Sequence, residues 1–136
     1  MIIRLFESDD FENVMGLLVK TGVELPAEAS DFKGLALVAE EDDKVIGCIW
    51  ALVGMSTQAH VDYFAVDPDY QSLHVGIELL KVMDKLLLRM GVHRFSFHVE
   101  KDNVEFMRLV DNPLNKVVQL RDLNFYRREL SRENIQ

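Results

Sequence analysis

Val66-Asp67-Pro68-Asp69-Tyr70-Gln71-Ser72-Leu73-His74-Val75-Gly76-Ile77-Glu78-Leu79-Leu80 is the stretch on which the fold reading turns. Ahead of it, His60 to Val66 is an apolar, strand-forming run. Asp67-Pro68-Asp69 stops that run, because proline fixes φ and supplies no N–H to a ladder. Behind it, apolar residues recur at Val75, Leu79, Leu80, Met83, Leu86, Leu87 and Met90. They make one broad face of a helix about four turns long, which Gly91 ends. A strand therefore passes through a proline turn and a tight loop, Gln71 to Gly76, into a helix N-terminus. Such a terminus offers unpaired backbone N–H groups and the positive end of the helix dipole, and both suit a pyrophosphate. Gly76 lets phosphates approach the backbone where a side chain would obstruct them. With no ligand, the same stretch is an ordinary strand-turn-helix joint.

Outward from this joint the chain alternates between the two periodicities. Ile2 to Glu7 predicts a first strand. Ser8 or Asp9 is placed to cap a helix, with Phe11, Val14, Leu18 and Thr21 at helical spacing and Gly22 as its stop. Glu24 to Lys33 reads as a loop or short helix around Pro26. Leu35 to Glu40 and Lys44 to Met55 are strand-like runs about Glu41-Asp42-Asp43, a hairpin signature. Downstream, Arg94 to Glu100 alternates, with Phe95, Phe97 and Val99 inward and Ser96, His98 and Glu100 opposite. A short helix is expected from Asp102 to about Asp111, broken by Asn112-Pro113. Lys116 to Leu120 and Asn124 to Leu130 predict a closing hairpin, followed by a polar tail. The order is β-α-(α)-β-β-β-α-β-α-β-β, a mixed sheet flanked by helices. No internal repeat, low-complexity segment or linker interrupts it.

The 136 residues suit one domain spanning 1–136, and the hydrophobic fraction of 49% is that of a globular protein. No apolar run reaches the roughly 18 to 20 residues that cross a bilayer, and Met1-Ile2-Ile3-Arg4 does not read as a secretory signal. One cysteine, Cys48, excludes an internal disulfide framework and fits a reducing, cytoplasmic setting. Fifteen basic against twenty-three acidic side chains give a net charge of −8, which disfavours nucleic acid and anionic membranes as partners and favours a cationic amine. His93 and His98 have no partners at metal-ligand spacing, so no metal is expected.

Val66, Pro68, Gln71 and Gly76 resemble the acetyl-CoA motif of the GNAT superfamily of N-acetyltransferases, Val-x-Pro-x-x-Gln/Arg-x-x-Gly-x-Gly/Ala followed by a leucine-rich helix. His74 departs from the motif, standing where glycine is usual. The resemblance, with the element order over about residues 2 to 130, implies an α/β fold of mixed α+β type. Its centre would be a mixed, twisted sheet flanked by about four helices. It also implies acetyl-CoA as cosubstrate, held by Gln71, Ser72, Leu73, His74, Val75 and Gly76. Asn103, at the start of the helix after the strand Arg94 to Glu100, matches an asparagine that touches the pantetheine arm or the loop. It reads equally as a helix cap.

The reaction so implied is direct attack of a primary amine on the acetyl thioester. A base must first deprotonate the ammonium, since a protonated amine has no electron pair to attack with. Backbone N–H groups stabilise the tetrahedral oxyanion, and in the family they come from the strand before the loop, often splayed by a bulge. That maps onto Phe64, Ala65 and Val66. The family's carboxylate base, four residues before the valine, maps onto Asp62, which is otherwise an exposed strand carboxylate. His60, two residues away, shares Asp62's face by strand alternation and offers an imidazole suited to base work at neutral pH. His98 on the adjoining strand is a third option.

The family's acid, a tyrosine seven residues after the asparagine, maps onto Val110, which donates no proton. A thiolate leaves tolerably without one. Arg121, Arg127 and Arg128 form a small basic cluster able to meet the adenine-end phosphate or simply to face solvent. Cys48 reads as a core thiol. Three functions compete: an N-acetyltransferase acting on an amine-bearing small molecule or protein; a catalytically degenerate GNAT-like module with a structural, interaction or acyl-CoA-binding role; and an unrelated α/β binding protein. A homodimer is compatible with the resemblance.

Overall fold

The β2–β3 hairpin shows how local chemistry sets the sheet. β2 (Leu35–Glu41) and β3 (Lys44–Val53) run antiparallel and close through Asp42 and Asp43. Both aspartates have positive φ, 50° and 62°, the twisted two-residue turn that a right-handed strand pair requires. Around this hairpin, in the computed structural model of the chain, stand β1 (Ile2–Leu5), α1 (Phe11–Thr21), β4 (Gln58–Val66), α2 (Val75–Arg89), β5 (Arg94–His98), β6 (Val117–Gln119) and β7 (Phe125–Glu129). The structure describes residues 1–22, 34–53, 58–98, 117–119 and 125–129. Within these residues the strands form one sheet in the order β1-β2-β3-β4-β5-β7-β6. Every neighbouring pair is antiparallel except β4 and β5. Parallel neighbours need a crossover rather than a hairpin, and α2 lies in that connection.

Among the described residues, one helix packs on each face of the sheet. On one face Val75, Leu79, Leu80, Met83 and Leu87 of α2 pack on Leu37, Ile46, Ile49, Ala51 and Phe95. On the other, Val14, Leu17 and Leu18 of α1 pack on Val38, Val45, Cys48 and Ala65. Each fully buried side chain of this size contributes on the order of 1.5–3 kcal/mol, so these two apolar seams hold the helices to the sheet.

Both helices end as their glycines require. Gly22 (φ 76°) ends α1, and its N–H donates to Leu18 and Val19 carbonyls. Beyond α2, Gly91 (φ 82°) donates to Leu88 O and the buried Val92 to Leu87 O, the paired bonds of a Schellman cap. Met90, expected on the apolar stripe, falls at the cap instead and is exposed.

The start of α1 differs from the expectation of a Ser8 or Asp9 cap. Ser8–Asp10 forms a 3-10 turn with Glu7 as its N-cap, and the buried Asp10 closes a capping box by accepting the Glu7 N–H at 2.8 Å. Arg4 grips the same carboxylate with two hydrogen bonds, of 2.7 and 2.8 Å. That guanidinium, helped by the Glu7 N–H, holds the Asp10 carboxyl below the usual carboxylate range against the opposing effect of burial. Of the about four helices expected, two α-helices lie within the described residues. The helix expected at Asp102 to Asp111 and the loop or short helix at Glu24 to Lys33 lie outside them.

Candidate functional site

β4 carries one residue more than β3 can pair. Trp50 registers with Tyr63 and Ala51 with Val61, so Asp62 is the extra residue of a β-bulge. The packing shows the consequence. Before the bulge Ala59 and Val61 belong to the α2-side cluster; after it Phe64 and Val66 do, while Tyr63 and Ala65 turn to the α1 side. An unbroken strand would keep residues 59, 61, 63 and 65 on one face. Trp50 and Tyr63 stack flat beside the bulge, with centroids 5.1 Å apart and planes 7° from parallel.

At the same point β4 parts from β5. The parallel ladder runs from Gln58↔Arg94 to Val61↔Phe97 and stops. Residues 62–66 of β4 continue with no β5 residue registered opposite them, while His98 pairs with Phe125 on the other side. Among the described residues the β4–β5 ladder is thus open from Asp62 onward, with Phe64, Ala65 and Val66 on its β4 side.

Asp62 and His60 meet on one face, as alternation predicts, because the phase reverses only between Asp62 and Tyr63. His60 Nε2 lies 3.5 Å from Asp62 Oδ1, and both side chains are about one-third exposed (37% and 30%). His60 Nδ1 is 2.8 Å from the Ser96 hydroxyl across the β4–β5 pair. Ser96 had no role in the sequence reading; alternation marked only its face, and the register that sets it against His60 is a tertiary fact.

Beyond β4 the chain is pinned before it reaches α2. Asp67 is buried; its N–H donates to Ile46 O at 2.7 Å, and its Oδ1 accepts both the Asp69 N–H at 3.0 Å and Lys20 Nζ at 2.8 Å. Lys44 Nζ lies 3.5 Å from Asp67 Oδ2 and 5.3 Å from the centre of the Tyr70 ring. Burial alone would raise the Asp67 carboxyl, but the Lys20 and Asp69 hydrogen bonds outweigh it and hold the group below its usual range. Pro68–Leu73 then forms a 3-10 turn, so the expected six-residue loop is shorter than its sequence suggests.

His74 takes the left-handed conformation (φ 56°, ψ 34°) as the N-cap of α2. That explains why glycine is usual there, and histidine is among the side chains that tolerate it. Val75 is the first residue of α2, and Gly76 is buried in its first turn rather than in the loop. The helix can sit this close because β3 has Gly47 beneath it: a Cβ there would lie 2.9 Å from Val75 Cγ1 and 3.0 Å from Leu79 Cδ1.

Asn103, Val110 and Arg121 lie outside the described residues, while Arg127 and Arg128 are placed as backbone positions in β7. Cys48 is buried in β3, and burial pushes its thiol up to about 12, which removes it as a nucleophile at neutral pH. Among the described residues no three His, Cys, Asp or Glu side chains converge as a metal site needs, and no helix is long and apolar enough to cross a membrane. A cleft of about 320 Å³ between α1 and the β2–β3 hairpin is lined in part by Gly16, Lys20, Lys44 and Asp67. Its lysines already face Asp67, and it includes neither Asp62 nor His60, so the opening in the sheet is the better candidate site.

A mixed sheet that parts between two parallel strands, beside the N-terminus of the helix joining them, defines the GNAT fold. The sequence model of the Acetyltransferase (GNAT) family matches residues 3–110, and the chain belongs to that family. Solved structures agree in fold. Ard1 from Thermoplasma volcanium is 22% identical with a TM-score of 0.79, over 96% of this chain and 97% of that one. The ribosomal-protein-S18-alanine N-acetyltransferase from Escherichia coli is 20% identical with a TM-score of 0.76, over 96% and 94%. The PaiA N-acetyltransferase from Thermoplasma acidophilum, solved in complex with coenzyme A, is 15% identical with a TM-score of 0.72, over 95% and 99%. At these identities the likeness is one of fold. Among curated protein sequences none matches the chain.

Proposed function

We propose that the protein transfers the acetyl group of acetyl-CoA to a primary amine by direct attack, acting in the cytoplasm on a small molecule or a protein. The observation that carries this reading is the coincidence, at Asp62, of a bulge, the end of the β4–β5 ladder and a carboxylate. In this reading the acyl-pantetheine arm enters the opening, where backbone N–H groups from Phe64, Ala65 and Val66 meet the thioester oxygen. Residues 71–76, with the N-terminus of α2, hold the pyrophosphate, as unpaired amides and the helix dipole favour. Asn103 touches the arm. No metal is required.

Asp62, with His60 beside it, takes a proton from the ammonium. The freed nitrogen pair attacks the carbonyl carbon, the oxyanion collapses as the C–S bond breaks, and the second proton on the nitrogen passes to the leaving thiolate, giving the amide and the free thiol. A rival reading, a coenzyme-binding or interaction module without turnover, draws on Val110 at the family's acid position. A thermal-shift titration with acetyl-CoA followed by thiol release over an amine panel separates them. A ligand at about 100 times its Kd stabilises by about 2.7 kcal/mol. No shift at millimolar acetyl-CoA sinks both coenzyme-binding readings and leaves only an interaction module, and a shift without thiol release from any amine leaves the coenzyme-binding rival.

A further inference from the structure

β5 meets β4 over four registered pairs, and one of them sets His60 opposite Ser96. The Ser96 hydroxyl lies 2.8 Å from His60 Nδ1, while Nε2 on the far side of the ring faces Asp62 Oδ1 at 3.5 Å. One imidazole is therefore bracketed by a hydroxyl on β5 and a carboxylate on β4, where the ladder ends.

These partners decide where the ring hydrogen sits. An ionised carboxylate oxygen only accepts, so the nitrogen facing it carries the hydrogen. In the neutral ring Nδ1 is then a lone pair, and it takes the hydroxyl hydrogen of Ser96. The opposite tautomer would set lone pair against lone pair at Nε2 and Oδ1. With both nitrogens occupied, the ring offers no pair to an ammonium proton. Asp62 does: Oδ1 meets the ring at 3.5 Å, and a carboxylate has two oxygens with about four lone-pair sites between them.

We propose that Ser96 is a positioning residue: it locks His60 as the Nε2–H tautomer, and His60 in turn aims the Asp62 carboxylate into the opening between β4 and β5. The catalytic consequence rests on the transferase reading above; the tautomer is a property of the resting protein. In the reaction, an ammonium N–H bond breaks, its proton moves to an Asp62 oxygen, and the nitrogen keeps the pair that attacks the thioester. His60 keeps its Nε2–H throughout as the donor that orients that carboxylate. A 3.5 Å approach that tightens when substrate arrives is ordinary for such a contact.

The test is a long-range ¹H–¹⁵N spectrum of the histidine rings at neutral pH for the wild type, Ser96→Ala and Ser96→Thr. His60→Gln assigns the resonance among the four histidines. The kcat and KM of each Ser96 variant are measured alongside. The wild-type ring is expected protonated at Nε2 and bare at Nδ1. Ser96→Ala is expected to move the Nδ1 resonance toward that of an unbonded nitrogen. It also lowers kcat roughly threefold to tenfold, the worth of one neutral hydrogen bond, with the KM for acetyl-CoA unchanged. Ser96→Thr restores both. A wild-type ring protonated at Nδ1 overturns the proposal, and so does a Ser96→Ala protein with Nδ1 resonance and kcat both unaltered. Absence of turnover on every amine would instead sink the transferase reading, while the tautomer and its response to Ser96→Ala still decide whether Ser96 holds the ring.

Discussion

Gly47→Ala is the sharpest probe of how α2 is seated, because one methyl group has a calculable effect. The new Cβ would lie 2.9 Å from Val75 Cγ1, 3.0 Å from Leu79 Cδ1 and 3.4 Å from Ala65 O. Carbon atoms rest about 3.5–4.0 Å apart, so the first two contacts must each open by roughly 0.5–1 Å. Val75 and Leu79 are fully buried, and valine is stiff at χ1, so the helix start has to move as a unit. Overpacking of this kind costs about 1–3 kcal/mol, and the narrower unfolded ensemble of alanine offsets about 0.4–1 kcal/mol of that. The expected net loss is about 1–2 kcal/mol, or several degrees in Tm at roughly 3–5 °C per kcal/mol. Gly16→Ala is the matched control: this exposed mid-helix glycine has nothing within 4 Å of its would-be Cβ, and the change should stabilise by about 1 kcal/mol. Val75→Ala should cost less in the Gly47→Ala background than alone, a coupling of about 0.5–3 kcal/mol. Urea melts of the four proteins and the double variant, with acetyl-CoA titrations alongside, read all of these. Equal gains from Gly47→Ala and Gly16→Ala, or additivity of Gly47→Ala with Val75→Ala, would refute the seating of α2 on β3.

Other expectations follow from single contacts. Asp62→Asn should lower kcat by about 10²-fold or more, with Asp62→Glu recovering part of it; steady-state rates on any accepted amine check this, and an unaltered kcat removes Asp62 as the base. His74→Gly should be close to neutral in stability, since relief of a left-handed side chain is offset by the entropy of glycine, whereas His74→Val should cost about 1–2 kcal/mol; thermal melts distinguish them. Asp10 and Asp67 are both held below their unfolded value, so the unfolded chain binds more protons on acidification. Their stabilisation is present above about pH 4 and is lost as pH falls through the unfolded value of about 3.9 toward the folded ones. Urea midpoints measured from neutral to strongly acid pH should fall accordingly, and Asp10→Asn should flatten the acid limb.

Much of the fold was legible because its elements carry one clean period each. α2 announced itself through Val75, Leu79, Leu80, Met83 and Leu87, all of which are buried. Gly22 and Gly91 stopped their helices as predicted, since both need positive φ. What stayed hidden were long-range electrostatics. Nothing near Lys20 in the chain points to Asp67, yet that bond joins α1 to the end of β4. The only local trace was an aspartate before Pro68, which reads equally well as a turn residue. The Glu7–Asp10 capping box was passed over for a related reason: Ser8 and Asp9 have the right side chains, but Arg4 grips Asp10.

The bulge at Asp62 is the deepest case, because period-two reasoning fails there by construction. A single inserted residue reverses the phase of everything after it, so a pattern read through residues 58–66 averages two opposite registers. The same insertion gives the carboxylate its place. As the extra residue against β3, Asp62 stands just past the last registered β4–β5 pair among the described residues, 3.5 Å from His60. The resemblance of the loop pointed to Asp62 by counting back from Val66, and alternation set His60 on the same face because the phase holds as far as Asp62. The register explains why both lie at the opening. If the bulge matters beyond the carboxylate it carries, deleting Asp62 should lower turnover further than Asp62→Asn does, in a protein whose sheet still folds. Equal activity of the two folded variants would mean that the carboxylate alone, and not the bulge, carries the effect.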